Sequence, residues 1–121
     1  MRTFNQVADD YLAAWNERSE PHRTALIQSS WTADAAYIDP LAKATGFADI
    51  SALIGAVQSK FPESRFSLNG RADGVGDYVR FSWALGPEGS PATVRGTDIV
   101  KRQGDRICSV VGFLDGAPEG R

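Results

Sequence analysis

The feature that most constrains this chain is a change of hydrophobic period near residue 64. Before it, apolar residues recur at helical spacing; after it, they alternate at period two. Phe4, Val7, Ala8, Tyr11, Leu12 and Trp15 share one stripe, predicting an amphipathic helix from about residue 3 to 18. Ser19 is placed to cap a second helix with Pro21 in its first turn. Leu26, Ile27 and Trp31 form its expected buried side, and it ends near Trp31. A short strand, AAYID, closes at Asp39-Pro40, because a residue before proline is held extended. After a turn, Gly46 opens a third helix marked by Ile50, Leu53, Ile54 and Val57, with its exit at Phe61-Pro62.

The remainder reads as RFSLNGRA, YVRFSWAL, ATVRGTDIVKR and RICSVVGFL, separated by DGVGD, GPEGSP and QGD, a four-strand antiparallel meander. Three helices followed by antiparallel strands predict an α+β fold with the helices on one face of a curved sheet. The expected organisation is a single domain over residues 1–116 and a flexible tail over 117–121.

A chain of 121 residues is long enough for one core, burying roughly two thirds of its unfolded surface. The basic residues are scattered and the formal charge is -2, which argues against a nucleic-acid partner. MRTFNQVADDYLAAW carries acidic residues and no continuous apolar stretch, so neither a signal peptide nor a membrane span is expected, and the default location is cytoplasmic. One cysteine and one histidine cannot build the usual zinc site within one chain, and no metal or cofactor is expected. Cys108, in an apolar run, reads as a buried structural thiol, and His22, in EPHR, as a solvated surface residue.

The residues that could carry chemistry are few. On ATVRGTDIVKR, parity puts Thr93, Arg95, Thr97, Ile99 and Lys101 on one face and Val94, Gly96, Asp98 and Val100 on the other. Asp98 therefore sits on the more apolar side, where a carboxylate must be hydrogen-bonded, shifted in pKa or set in a wet pocket. A structural partnership with an arginine is the competing reading. Asp39 shares a face with Tyr37, although an aspartate before proline is also a common turn former. Tyr11 lies within the apolar stripe, so its ring is core and its hydroxyl needs a partner. Tyr11, Asp39 and Asp98 are the candidate acid/base group, with Trp15, Trp31, Trp83 and Phe113 as candidate substrate-binding walls. Arg80 and Arg95 alternate with apolar neighbours and read as residues of the sheet surface, open to a subunit interface.

The order YLAAWNERS, LIQSSWTADAAYIDP, GFADISALI and VRGTDIVKRQGDRICSVVGFL resembles the SnoaL-like polyketide cyclase branch of the nuclear transport factor 2-like superfamily, from Tyr11 to Leu114. That resemblance implies a cone-shaped fold and a homodimer formed through the sheet. Ketosteroid isomerase belongs to the same superfamily, and segment matching places Tyr11 at its catalytic tyrosine, Asp39 at its general base and Asp98 at its protonated acid. Trp31 and Ile54 stand where that enzyme has further tyrosines, a departure that argues against steroid isomerisation. The resemblance thus implies cofactor-free acid/base catalysis of isomerase, cyclase or dehydratase type on a small apolar carbonyl compound. Non-catalytic binding of a small apolar ligand and a dimeric interaction module are the alternatives.

Overall fold

The computed structural model describes residues 2–116; the tail expected at 117–121 lies outside the described residues. The chain runs α1 (Phe4–Asn16), α2 (Glu20–Ser30), β1 (Trp31–Ile38), β2 (Lys43–Thr45), α3 (Phe47–Lys60), β3 (Ser64–Leu68), β4 (Asp73–Val75), β5 (Tyr78–Pro87), β6 (Val94–Gln103) and β7 (Arg106–Leu114). Three helices pack on a curved, mostly antiparallel sheet whose order is β2-β1-β7-β6-β5-β3, with β4 on β5. The meander was legible as β3, β5, β6 and β7. β1 joins it parallel to β7, which is how the helical half of the chain is tied to the strand half.

α1 begins with a reciprocal cap: Thr3 Oγ1 accepts from the Gln6 amide, and the Gln6 side chain accepts from the Thr3 amide. Its stripe is buried as expected, with Val7, Ala8, Tyr11, Leu12 and Trp15 facing the sheet. At its far end Asn16 holds the backbone of Phe66 through both amide atoms, fixing the helix to β3. α3 starts at Gly46, whose φ of 86° is the left-handed geometry that a side chain would strain. Ile50 and Ile54 face the core, while Leu53 and Val57 are half-buried beside it.

Several expectations change. α1 ends at Asn16, short of residue 18. Trp31 is the first residue of β1 rather than the last of α2, and β1 runs ahead of the expected AAYID because its early residues pair along β7. Leu26 is exposed; the buried residues of α2 are Ile27 and Arg23, since the helix presents only a narrow side to its neighbours. β2 and β4, each three residues long, occupy stretches read as turns, and pairing alone makes them strands. Cys108 is half-buried instead of buried. Lys101 pairs with Ser109 and Arg102 with Ile107, so Cys108 is the extra residue of a bulge, and its thiol donates to the Lys101 carbonyl.

The inner face of the sheet relies on two glycines around Asp98. Gly96 faces Trp83 across β5–β6, and a Cβ there would stand 2.4 Å from Trp83 Cζ2 and 2.6 Å from the Phe113 carbonyl. Gly112 faces Asp98 across β6–β7, and a Cβ there would stand 2.9 Å from Asp98 Oδ1. Overpacking of this kind costs about 1–3 kcal/mol or more where backbone must move. Gly96→Ala is therefore expected to lose about 2–3 kcal/mol in urea unfolding and to change the Trp83 fluorescence. Unchanged stability would show that the indole does not lie across Gly96.

Candidate functional site

A cavity of ≈ 210 Å³ opens between the inner face of the sheet and helices α1 and α3. Its lining is mostly aliphatic and aromatic, including Leu53, Val57, Phe61, Leu85 and Val94, and its polar groups are Tyr11, Tyr37, Asp39, Asp98, Trp15, Trp83 and Lys60. Asp98 lies on the inner face of β6, only 4% exposed. Tyr11 donates its hydroxyl to Asp98 Oδ2 at 2.6 Å, and Trp83 donates Nε1–H to Oδ1 at 3.1 Å. The first bond reaches from α1 to the sheet, and the second runs diagonally along the sheet in the space left by Gly96.

Asp39 lies just beyond the end of β1, close to Gly112 on its other side: a Cβ at Gly112 would be 3.3 Å from Asp39 Cβ and 3.6 Å from the Tyr37 hydroxyl. Its own oxygens are occupied. Oδ1 accepts from the Leu41 and Ala42 amides at 2.7 and 2.9 Å, and Oδ2 accepts from the Tyr37 hydroxyl at 2.6 Å. Asp39 is thus a turn former and a pocket residue at once. The two carboxylates flank one glycine, near enough that the negative charge of Asp39 disfavours ionisation of Asp98.

The structure brings Tyr11, Asp39, Asp98, Trp15 and Trp83 together around the cavity and separates two other expected walls from it. Trp31 is buried away from the lining, its ring stacked on Tyr11 at a centroid distance of 5.8 Å, so it braces the tyrosine from outside the pocket. Phe113 is 53% exposed: it pairs with Thr97 on the outer face, while its neighbour Gly112 faces inward. Sequence reasoning did not assign Tyr37 to the site, although its shared face with Asp39 was the available signal. It also omitted Lys60, which follows Leu53 and Val57 along the pocket side of α3.

Burial dominates the electrostatics. It pushes the Asp98 carboxyl from 3.8 up to about 6, against the hydrogen bonds from Tyr11 and Trp83, with Asp39 adding to the rise. Burial also holds the Tyr11 and Tyr37 hydroxyls well above the usual tyrosine range, so both are neutral donors at neutral pH. Among the described residues no three His, Cys, Asp or Glu side chains are grouped to hold a metal ion. The arrangement can take up and return one proton at Asp98 in a dry setting and donate hydrogen bonds from phenols beside it.

Because the folded chain holds the Asp98 proton more tightly than the unfolded chain, its contribution to stability is lost as pH rises from about 4 to about 6 and stays lost above that. The difference is about 3 kcal/mol from the shift of roughly two pH units. Asp98→Asn keeps an acceptor for Trp83 and removes the charge. Its stability relative to the native protein is expected to rise across that window in urea unfolding at stepped pH. A difference that stays constant from pH 4 to 7 would show that Asp98 titrates normally.

Residues 8–110 match the SnoaL-like domain family. The chain is similar over 95% of its length, at 42% identity and TM-score 0.89, to the whole of a candidate isomerase of the SnoaL-like family from Agrobacterium tumefaciens. A protein of ketosteroid isomerase-like fold from Catenulispora acidiphila, solved in complex with trimethylamine, shares 22% identity and TM-score 0.73, over 91% of this chain and 85% of that one. A candidate polyketide cyclase from Sinorhizobium meliloti shares 18% identity and TM-score 0.69, over 88% and 92%. The last two likenesses concern the fold alone. No curated protein matches the chain. With its fold and this match across most of its length in agreement, the chain belongs to the SnoaL-like domain family.

Proposed function

We propose that the protein is a cofactor-free acid/base enzyme in which Asp98 moves a proton next to the carbonyl of a compact apolar substrate. The observation that carries the reading is the environment of Asp98: a buried carboxyl with a pKa of about 6, at a cavity, with a phenol on one oxygen. A general base works best when its pKa lies near the working pH. Asp39 is the weaker candidate for the base, since two backbone amides and Tyr37 already occupy its oxygens.

In the proposed step, Asp98 takes a proton from the carbon beside the carbonyl and the electron pair moves onto the carbonyl oxygen. Once protonated, Asp98 no longer needs the Tyr11 hydrogen bond, and the phenol donates to the enolate oxygen instead. Asp98 then returns the proton to a different carbon, which is isomerisation, or the enolate carbon attacks a second carbonyl of the same molecule and the alkoxide so formed takes the proton back from Asp98, which is cyclisation. Ligand cavities commonly run to about 300–1,000 Å³, so one of ≈ 210 Å³ favours a compact substrate over a four-ring steroid.

The resemblance also implied pairing of two copies through the sheet, and we keep that as part of the proposal. Ile38 and Val111 are directly paired on the outer face, with Phe113 nearby, all exposed at 39–53%. A contiguous apolar patch of this kind on a sheet suits a second copy of the same surface. Sedimentation is expected to give a dimer at micromolar concentration, and Val111→Lys a monomer. A native monomer at that concentration would remove this part of the proposal.

The catalytic proposal is tested by following exchange of α-protons for deuterium in small cyclic enones and β-diketones by NMR. Exchange above the buffer rate is expected for one-ring or two-ring compounds, with kcat/KM rising with pH through about 6. Asp98→Asn should lower it by about 10²-fold or more, the usual size of a general-base contribution. Saturable binding without exchange in the native protein would identify a binding pocket and defeat the enzymatic reading.

A further inference from the structure

A second groove lies on the far side of α3, away from the cavity, between α2 and α3. Arg18, Glu20, Arg23, Thr24, Ser51, Gly55 and Ser59 are among its lining residues. Arg23 is only 5% exposed, in a sequence context, EPHR, that reads as surface. Among the described residues the carboxylate ion pairs are those of Arg2 with Asp10 and Arg80 with Asp73, and Arg23 has none. A buried cation without a counter-charge is costly unless its donors are satisfied.

A guanidinium carries five N–H bonds. In Arg23, Nε donates to Ser51 Oγ at 3.1 Å, and Nη1 donates to the Glu17 carbonyl at 3.2 Å and to Gln58 Oε1 at 3.1 Å. Nη2, with the other two N–H bonds, has no protein acceptor among the described residues. It sits 3.0 Å from the point where a Cβ at Gly55 would be, and Gly55 lines the groove. A glycine inside a helix gives up about 1 kcal/mol of propensity relative to alanine, and here it opens the edge of the guanidinium. The hydroxyls of Thr24 and Ser51 bond each other at 3.1 Å beside it. The groove also borders the first turn of α2, where Ser19 makes no side-chain cap, so the positive end of that helix is left to other partners.

From the free Nη2 edge of a buried, unpaired arginine beside an uncapped helix start, we infer that this groove is a binding site for a small oxyanion, a phosphate or a carboxylate. Two N–H bonds on one nitrogen, with hydroxyls and a second arginine nearby, suit an anion with several acceptor oxygens. Glu20 opposes binding from the rim and sets its strength. The site is independent of the acid/base reading, because none of its ligands reaches the cavity.

The test uses the full-length native protein, titrated with inorganic phosphate, sulfate and acetate at constant ionic strength, with chloride as the blank. The readout is the ¹H–¹⁵N signals of the Gly55 amide and Arg23 Nε. A saturable shift is expected with phosphate that chloride does not reproduce. Response to phosphate and sulfate alone identifies a tetrahedral oxyanion, and response to acetate as well extends the class to carboxylates. Gly55→Ala, which fills the free edge while favouring the helix, should weaken binding about tenfold or more, as should Arg23→Gln if it folds. Glu20→Gln should tighten it by about threefold. No saturable shift with any of the three anions, or an undiminished one in Gly55→Ala, overturns the inference.

Discussion

The structure is organised around one buried carboxylate. Asp98 takes a hydrogen bond from α1 through Tyr11 and one from β5 through Trp83, so the first helix and the middle of the sheet meet at a charge. The glycines on either side make room for this arrangement: a Cβ at Gly96 would collide with the Trp83 indole, and one at Gly112 would crowd Asp98 Oδ1. The aromatic packing follows from the same point. Tyr11 is stacked by Trp31 and met edge-on by Phe81, which fixes the ring whose hydroxyl holds Asp98. Two donors do not outweigh burial, as the raised pKa records, so the charged form is held at a cost in the folded chain. A buried carboxyl with a shifted pKa at a cavity is a candidate for acid/base chemistry, which is why the functional reading starts at this residue.

The sequence was informative where one element's own pattern settles the geometry. Period-two alternation put Asp98 on the inner face of β6, and helical spacing put Tyr11 on the buried stripe of α1. Both hold in the structure because long, strongly patterned elements leave little choice of face. Where facing depends on a neighbour, the pattern failed. Phe113 belongs to VVGFL, apolar on both faces, and which face turns inward is decided by the pairing of Gly112 with Asp98. Trp31 marks the junction of a helix and a strand, and either assignment satisfies its need for burial. Arg23 was illegible for the opposite reason. Its surroundings in the chain are polar, and the room for it is made more than twenty residues away by Ser51, Gly55 and Gln58 on α3.

α3 has two working sides for that reason. Leu53, Val57 and Lys60 face the cavity, and Ser51, Gly55 and Gln58 meet the arginine on α2. Gln58 adds a further tie, donating to the carbonyls of Trp15 and Glu17 where α1 ends. Arg18 closes the other end of the same junction on the carbonyls of Gln58, Phe61 and Ser64. Polar side chains thus hold the three helices at the angle that leaves the cavity open. An apolar helix junction would be free to collapse into that space, whereas directional hydrogen bonds to backbone carbonyls fix both distance and orientation.

The two aspartates of the pocket show how one fold assigns different work to the same residue type. Asp39 lies next to a proline at a strand end and is half-buried. Its oxygens face backbone amides and a phenol, which makes it a fixed acceptor that shapes the rim. Among the described residues Asp98 has no backbone donor; it sits deeper and feels the charge of Asp39 across Gly112. The first environment fixes an acceptor in place, and the second, by burial, raises the affinity of the carboxyl for a proton. Removing Asp39 should then do more than disturb the rim: it should ease ionisation of Asp98, since a like charge nearby is one cause of its raised pKa. The coupling runs through distance alone and needs no contact between the carboxylates, so it persists as long as β1 and β6 stay on either side of β7.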